Sequence, residues 1–300
     1  MPTAPQPAHQ PAPRRERPAV RLPDGTLWPA LGLGTWRYGE SRSRRAAEVA
    51  AITEALQIGY RLIDTAEMYG EGGAESVLGE ALRLAQRDGL VRREEVHVVS
   101  KVYPHNAGRA AMRRACEASL QRLGLDRIDL YLLHWRGNVP LAETVAGFED
   151  LLSAGRIARW GVSNFDVSDL QELDAVPGGR ACAANQVYHS LSERGPEFEL
   201  LPWQQARSMP LMAYSPIDQG ALARNATLAR IAKRHDATPA QVALAALIQL
   251  PGVMAIPKSS DPARLRENWQ ALQLMLSDAD RADLSRAFPV PRSKQPLAMR

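Results

Sequence analysis

The sequence predicts an α/β protein folded as one (β/α)8 barrel, also called a TIM barrel. Two observations support this prediction. Short apolar runs alternate with longer stretches of helical period from Val20 onward, and eight such units follow one another. Several runs, such as 128–133, are almost continuously apolar, which is typical of parallel strands that are buried on both faces. The runs are 31–36, 61–66, 96–102, 128–135, 159–165, 183–189, 210–216 and 253–258.

Helical patterns fill the stretches between these runs. One helix face is formed by side chains spaced at i, i+4, i+7, i+8 and i+11, namely Met112, Cys116, Ser119, Leu120 and Leu123. The stretch after Pro216 is long enough for two helices, and Thr238 with Pro239 supplies the N-cap and first position of the second. Another helix is predicted to begin at Ser277, with two aspartates in its first turn.

A doubly wound nucleotide-binding sheet is the competing fold. That fold requires the pattern G-x-G-x-x-G after its first strand. Here the first strand ends in GLGTWR (32–37), which lacks the third glycine. The sequence therefore favours the barrel over 19–290, flanked by a disordered Pro-rich tail over 1–18 and a C-terminal tail over 291–300. The first tail holds six prolines and no apolar segment that could serve as a secretory signal.

Composition and charge exclude several functional classes. The 300 residues are 45% apolar and 23% charged, as in a soluble globular protein. The net charge of +4 is scattered along helix faces, so no nucleic-acid partner is predicted. The apolar stretch 242–250 is shorter than the roughly 20 residues of a membrane span, so no membrane partner is predicted. Cys116 and Cys182 stand apart without metal-ligand spacing, which indicates a reduced, cytoplasmic protein with no metal.

Four polar side chains follow three adjacent strands and are expected to meet at one rim of the barrel, namely Asp64, Tyr69, Lys101 and His134. A carboxylate keeps a buried lysine charged, and an ammonium lowers the pKa of a nearby phenol, so Tyr69 is expected to be a strengthened general acid. A neutral His134 is expected to orient a carbonyl oxygen. Protonation of a carbonyl oxygen assists transfer of a hydride to the carbonyl carbon. The four side chains supply no hydride, so a separate hydride donor is expected.

At these residues the sequence resembles the aldo-keto reductase family, in order and over residues 20–290. The matching segments are GLGTW (32–36), LIDTAEMY (62–69), SKV (100–102), LLHW (132–135), GVSNF (161–165), NQV (185–187), AYSP (213–216) and IPKS (256–259). The resemblance implies a (β/α)8 barrel that reduces aldehydes and ketones with NADPH and without metal. It implies that Tyr69 is the general acid, that Lys101 and Asp64 tune it, and that His134 orients the carbonyl.

The resemblance also implies a cofactor site and a substrate pocket. Ser163, Asn164 and Gln186 would hold the nicotinamide carboxamide, and Tyr214 would stack on its ring. The further cofactor residues are Gly34, Thr35, Trp36, Ser215, Pro216, Lys258, Ser259, Ser260, Arg264 and Asn268. Two cations and two hydroxyls among Lys258, Ser259, Ser260 and Arg264 independently suit a phosphate, which favours NADPH over NADH. The expected apolar lining is Trp36, Met68, Tyr103 and Trp135.

The chain departs from the family pattern in four places. Tyr188 comes one residue early after the NQV segment. Asp218 places an acid in the segment expected to cover the cofactor pyrophosphate. The loop after His134 and the segment after Phe288 are short, so a comparatively open site is expected.

Three functional hypotheses follow from these patterns. The first is an NADPH-dependent reductase of small carbonyls, and segments 64–80, 155–165 and 201–203 are most similar to a bacterial branch that reduces methylglyoxal. The second is a non-catalytic NADPH-binding regulator or sensor on the same barrel. The third, a Schiff-base enzyme using Lys101, needs a depressed lysine pKa, which Asp64 opposes. The family's usual form implies a monomer.

Overall fold

Eight parallel strands and the helices between them make up the computed structural model of the protein, which describes residues 18–300. The predicted N-terminal tail lies outside the described residues, apart from Pro18. The strands are β1 (Ala19–Arg21), β2 (Leu27–Pro29), β3 (Leu33–Gly34), β4 (Leu62–Asp64), β5 (His97–Val102), β6 (Leu130–Leu133), β7 (Trp160–Ser163), β8 (Asn185–Tyr188), β9 (Leu211–Tyr214) and β10 (Val253–Ala255). The helices are α1 (Arg45–Ile58), α2 (Gly73–Arg87), α3 (Arg109–Leu123), α4 (Leu141–Ser153), α5 (Val167–Asp174), α6 (Leu200–Gln205), α7 (Ala226–Arg234), α8 (Pro239–Ile248), α9 (Pro262–Gln270) and α10 (Asp278–Ala287).

The parallel sheet closes on itself between its first and last strands. Strands β3 to β10 pair in sequence order. The backbone N–H of Gly34 then donates to the carbonyl of Pro257 at 3.0 Å, and that of Ala255 donates to Ala30 at 2.8 Å. A Cβ on Gly34 would lie 3.0 Å from the carbonyl oxygen of Ile256, so the missing side chain permits this approach. The predicted (β/α)8 barrel is therefore confirmed.

Each barrel strand lies inside one of the predicted apolar runs. The strand residues from β3 to β9 are buried, except at the ends of β5 and β9, and so are all three residues of β10. Side chains on one face fill the barrel, and those on the other face pack beneath the helices. Continuous apolar composition therefore identified these strands because both of their faces are covered.

The helix signals in the sequence also match the structure. The predicted face of α3 is the buried one, comprising Met112, Cys116, Ser119, Leu120 and Leu123. Thr238 caps α8 by accepting from the backbone N–H of Gln241 at 3.3 Å, and Ser277 caps α10 by accepting from Asp280 at 3.2 Å. Across residues 18–300, no helix combines the length and the apolar character that crossing a bilayer demands.

A short antiparallel hairpin, β1 with β2, was not predicted. Its Trp28 stacks on His97, the first residue of β5, at 4.5 Å between ring centroids. Its turn residue Asp24 pairs with Arg159 at 2.5 Å, and Arg159 directly precedes β7. The hairpin thus covers the end of the barrel where the strands begin. The turn residues Pro23, Asp24 and Gly25 were its signal in the sequence.

Candidate active site

The opposite end of the barrel brings Asp64, Lys101 and Tyr69 together. Asp64 ends β4, and Lys101 is the penultimate residue of the neighbouring strand β5. The Lys101 ammonium donates to both carboxylate oxygens of Asp64 at 2.8 Å and to the backbone carbonyl of Thr65 at 2.9 Å. It also donates to the Tyr69 hydroxyl at 3.1 Å. The ammonium is therefore shared between a carboxylate and a phenol, as the sequence predicts.

The Asp64–Lys101 ion pair is buried, and burial changes the pKa values of both groups. The Lys101 side chain is 0% exposed and that of Asp64 is 3% exposed. Burial opposes the charge on Lys101, but Asp64 and Tyr69 outweigh it and raise the pKa of the ammonium. Burial likewise raises the pKa of Asp64, and contacts with Lys101 and Gln186 offset part of that effect. Lys101 consequently stays charged at neutral pH.

The direction of the Tyr69 shift differs from the expectation. Burial raises the pKa of Tyr69 more than the Lys101 ammonium lowers it, and Asp64 adds a further rise. The expected net lowering is therefore wrong, because the sequence revealed the neighbouring cation but not the depth of burial. At neutral pH the Tyr69 side chain is a protonated phenol in contact with a cation, which is the state that a proton donor requires.

His134 follows β6 and faces the same phenol. Its ring lies edge-on to the Tyr69 ring at 5.8 Å between centroids. Burial, aided by the Lys101 charge, lowers the pKa of His134 to about 2, so the ring is neutral as predicted. Among the described residues, its buried Nδ1 has no hydrogen-bond partner. A neutral imidazole at this position can offer one N–H to a carbonyl oxygen next to Tyr69.

Asn164 and Tyr214 line the neighbouring part of the rim, where a carboxamide is expected. Asn164 follows β7 in the left-handed backbone region, with φ of 60°, and its amide donates to the backbone carbonyl of His134 at 3.1 Å. The Tyr214 hydroxyl donates to the side-chain oxygen of Asn164 at 3.0 Å. Ser215 continues in the left-handed region with φ of 50° and leads into Pro216. Asn164 and Tyr214 are thus joined to each other and to the His134 backbone by hydrogen bonds.

Gln186 makes a contact that the sequence did not indicate. Its side-chain amide donates to Oδ1 of Asp64 at 2.8 Å. Its backbone carbonyl accepts from the Ser163 hydroxyl at 2.8 Å. Gln186 therefore lies at the rim as predicted, but its amide N–H is engaged by the carboxylate. The residue connects the predicted carboxamide site to the Asp64–Lys101 pair.

Aromatic side chains border the rim near His134. The Tyr103 ring meets the Trp135 ring edge-on at 5.9 Å, and Trp135 lies 4.9 Å from the His134 ring. Met68 is half-buried. Trp36 is 37% exposed and carries the Arg37 guanidinium 4.4 Å from the centre of its ring. Tyr103 and Trp135 thus stand beside the reactive cluster as expected.

Thr35 contributes to the rim from inside the barrel. Its hydroxyl donates to the backbone carbonyl of Asp64 at 3.0 Å, and its backbone N–H donates to the same oxygen at 2.9 Å. The side chain is fully buried. Thr35 therefore fixes the end of β4 against the segment that holds Trp36.

Lys258 follows β10 and lies within electrostatic range of Arg37 and Arg44; we call these three residues the cation group. Its ammonium lies 5.3 Å from the centre of the Tyr38 ring, and the Tyr38 hydroxyl donates to the backbone carbonyl of Ser259 at 2.6 Å. Burial lowers the pKa of Lys258, and the positive charges of Arg44 and Arg37 lower it further, while Glu48 and Glu40 offset part of this effect. Arg37 and Arg44 were missed by the sequence analysis, although Arg37 directly follows the predicted Trp36. Cations gathered in this way create a site that an anion would stabilise.

Three further predicted cofactor residues lie at the start of α9 or within it, namely Ser260, Arg264 and Asn268. Arg264 is 74% exposed, and its nearest carboxylate is that of Asp261 at 3.9 Å. Asp261 caps α9 by accepting from the backbone N–H of Ala263 at 2.8 Å. Ser260 is exposed, whereas Asn268 is buried within α9. The segment is thus a helix cap, as expected, and the Arg264 side chain projects into solvent.

Asp218 does not stand unpaired in the loop after β9. Its carboxylate accepts from the Tyr188 hydroxyl at 2.7 Å and from the Ser192 hydroxyl at 3.0 Å, and it pairs with the guanidinium of Arg300. The backbone N–H of Arg300 donates to the Tyr214 hydroxyl at 3.2 Å. The short C-terminal segment therefore returns to the rim beside Tyr214.

The family described as "Aldo/keto reductase family" matches residues 30–287. The methylglyoxal reductase YeaE of Escherichia coli K12 is 51% identical over 276 residues, which cover 90% of this chain and 95% of that protein.

Two solved structures from Klebsiella pneumoniae are also similar. An aldo/keto reductase in complex with NADP and acetate superimposes with a TM-score of 0.90 at 46% identity, covering 95% of this chain and 100% of that one. A structure of an aldo-keto reductase with NADPH gives a TM-score of 0.90 at 46% identity, covering 95% and 99%.

Proposed function

Because this chain belongs to the aldo/keto reductase family, we propose that it is an NADPH-dependent oxidoreductase that reduces small aldehydes and ketones to alcohols. The observation that carries the proposal is the Tyr69 phenol, held 3.1 Å from a buried ammonium and beside a neutral imidazole. The 51% identical methylglyoxal reductase supports small 2-oxoaldehydes, methylglyoxal among them, as the substrate class.

The residues at the rim fit a phosphorylated dinucleotide. Burial and the positive charges of Arg44 and Arg37 together lower the pKa of Lys258, Glu48 and Glu40 offset this only in part, and a phosphate placed there would stabilise the lysine charge. An additional phosphate on the ribose distinguishes NADPH from NADH, so the cation group favours NADPH. Ser163, Asn164 and Tyr214 lie next to His134 and would hold the nicotinamide end.

The chemistry of the proposed reaction divides between cofactor and protein. Bound NADPH would supply a hydride to the carbonyl carbon of the substrate. Tyr69 donates its phenolic proton to the carbonyl oxygen, which becomes the hydroxyl of the alcohol. The phenolate that remains is stabilised by the Lys101 ammonium, because opposite unit charges at 4 Å attract by about 4 kcal/mol at an effective dielectric constant near 20. The neutral His134 orients the carbonyl oxygen toward Tyr69.

Asp64 and Lys101 act as positioning residues in this scheme. Asp64 keeps the buried lysine charged, and the bidentate contact fixes the ammonium at the Tyr69 hydroxyl. Bulk water is excluded because both side chains are buried. The charge that stabilises the phenolate is thus in place before the proton is transferred.

The test is oxidation of NADPH by the purified protein, followed by absorbance, against a panel of small carbonyls that includes methylglyoxal. NADH is assayed in parallel. We expect turnover with kcat/KM at least about tenfold higher for NADPH, since charge-assisted contacts to one phosphate supply that discrimination. Tight NADPH binding without turnover of any carbonyl would favour the non-catalytic sensor. Absence of NADPH binding would contradict the cofactor assignment.

A further inference from the structure

The segment 291–300 crosses the rim of the barrel and is fastened at two points. At the first, the Lys294 ammonium pairs with Asp166 at 3.0 Å and with Glu199 at 3.3 Å. Leu297, further along the segment, packs against the core of the barrel. These contacts bring the end of the segment over the loop that follows β9.

The second fastening point is Arg300. Its guanidinium pairs with Asp218 and lies 4.8 Å from the centre of the Tyr188 ring. Its backbone N–H donates to the Tyr214 hydroxyl. The Tyr188 and Tyr214 rings stack at 5.9 Å, and the Tyr188 hydroxyl donates to Asp218. We call this group of Arg300, Asp218, Tyr188 and Tyr214 the clasp.

The clasp adjoins the proposed cofactor site. Tyr214 belongs to both, and its hydroxyl donates to Asn164 at 3.0 Å while it accepts from Arg300 at 3.2 Å. The segment therefore contacts the same tyrosine that is proposed to stack on the nicotinamide ring. The arginine also neutralises Asp218, so the closed loop presents no unpaired carboxylate to an anionic dinucleotide.

The contacts that hold Arg300 in the clasp are few and partly exposed. The Arg300 side chain is 39% exposed, and its contacts within residues 18–300 are one ion pair, one hydrogen bond and one ring contact. Partly exposed ion pairs of this kind are weak. By contrast, Leu297 packs against the core of the barrel and holds the middle of the segment, whereas the Lys294 ammonium is 47% exposed and its ion pairs add little. Release of Arg300 therefore frees the end of the segment without detaching the rest.

We propose that residues 291–300 form a strap that gates exchange of the dinucleotide, with the Arg300–Asp218 ion pair as its fastening; the proposal rests on the proposed function. A closed strap slows release of the bound dinucleotide, and an open strap permits it. Arg300 is then a residue that sets the residence time of the cofactor and does not take part in proton transfer.

The test is the rate of NADPH dissociation from the full-length protein, measured by stopped-flow fluorescence. Arg300→Gln is expected to raise the rate about fivefold, as the loss of one partly exposed ion pair predicts. Arg292→Gln removes the same charge from an exposed position of the same segment and is expected to leave the rate unchanged. Equal rates in wild type and Arg300→Gln would overturn the strap.

A double-mutant cycle adds a second criterion. Asp218→Asn breaks the same ion pair from the other side and keeps one acceptor oxygen for Tyr188. The double variant is expected to release NADPH no faster than the faster single variant, because the pair can be broken only once. Multiplicative effects would show that the two residues act separately and would overturn the proposal. If the wild-type protein does not bind NADPH, the proposed function fails and the strap with it, whereas binding with unchanged rates overturns the strap alone.

Discussion

The amide of Gln186 donates to Oδ1 of Asp64 at 2.8 Å, across the barrel from β8 to β4. The same oxygen accepts from the Lys101 ammonium. Asp64 is therefore held by a neighbouring strand and by a distant one. The charge that sustains the proton donor depends on closure of the whole barrel, so its geometry is a property of the tertiary fold.

Replacement of Tyr69 by Phe tests the proton donor directly. Tyr69→Phe removes the hydroxyl and leaves the Asp64–Lys101 pair intact. We expect kcat to fall by about 10²–10⁴, the usual contribution of general acid catalysis, while the dissociation constant of NADPH changes less than about twofold. Steady-state kinetics and a binding titration measure the two quantities.

The matched control for that experiment is Tyr131→Phe. Tyr131 is buried against Phe148 of α4, with 6.2 Å between the ring centroids, between the sheet and the helices. Tyr131→Phe also removes one phenolic hydroxyl but changes nothing at the rim, so activity should stay near that of wild type. An equal loss of NADPH binding in Tyr69→Phe would show that Tyr69 is structural.

The buried Asp64–Lys101 pair predicts that loss of one partner destabilises the protein more than loss of both. Asp64→Asn leaves a buried lysine without its counter-charge, and such a change costs about 3–5 kcal/mol in the free energy of unfolding. The double variant with Lys101→Met should recover part of the loss, because no buried charge is left unpaired. Urea denaturation measures both values. Asp150→Asn, at an exposed pair with Arg109, should change the midpoint little. A double variant less stable than Asp64→Asn would contradict the argument.

His134 predicts how stability depends on acid. Its pKa is about 2 in the folded protein and near 6.5 in an unfolded chain, so the unfolded state takes up the proton first. This contribution is fully present above about pH 6.5 and is lost progressively as the pH falls toward 2. Between about pH 7.5 and 5.5 the loss is about 1.4 kcal/mol.

Denaturant unfolding of His134→Asn at both pH values measures this term. The variant should lose about 1.4 kcal/mol less than wild type over the same interval. His105→Gln, at an exposed position, provides the matched histidine control. Identical pH profiles for wild type and His134→Asn would show that this histidine is not held neutral by folding.

Lys258 is predicted to discriminate between the two nicotinamide cofactors. Lys258→Met removes the half-buried lysine of the cation group. The dissociation constant of NADPH should rise about 10–100-fold, since a charge-assisted contact is lost, while that of NADH changes less than about threefold. Arg264→Gln should have a smaller effect on NADPH, because that guanidinium is 74% exposed. Similar losses of affinity for NADPH and NADH in Lys258→Met would show that Lys258 does not contact the phosphate that distinguishes the two cofactors.

The barrel and its reactive cluster could be predicted because each depends on a regular property of the chain. Continuous apolar runs identify strands that are covered on both faces. The carboxyl ends of parallel strands meet, so Asp64, Lys101 and His134 could be placed together from their positions alone. The N-caps at Thr238 and Ser277 are local and were equally visible.

The features that the sequence did not reveal depend on how deeply a side chain is buried and on the course that the loops follow. The Tyr69 pKa moves upward because burial exceeds the effect of the nearby cation, and burial is not visible in the spacing of residues. Arg37 joins the Lys258 group through a left-handed residue conformation, with φ of 64°. Arg300 reaches Tyr214 from 86 positions away in the chain. No periodic signal specifies contacts of this kind.

Closure of the barrel between Gly34 and the residues around Pro257 has a consequence for synthesis on the ribosome. The strand that completes the sheet is Val253–Ala255, near the end of the chain. A nascent chain that has not yet released this strand carries two unpaired sheet edges, at β3 and β9. Such edges can pair with strands of other chains. Aggregation is therefore most favoured while translation is paused before residue 253.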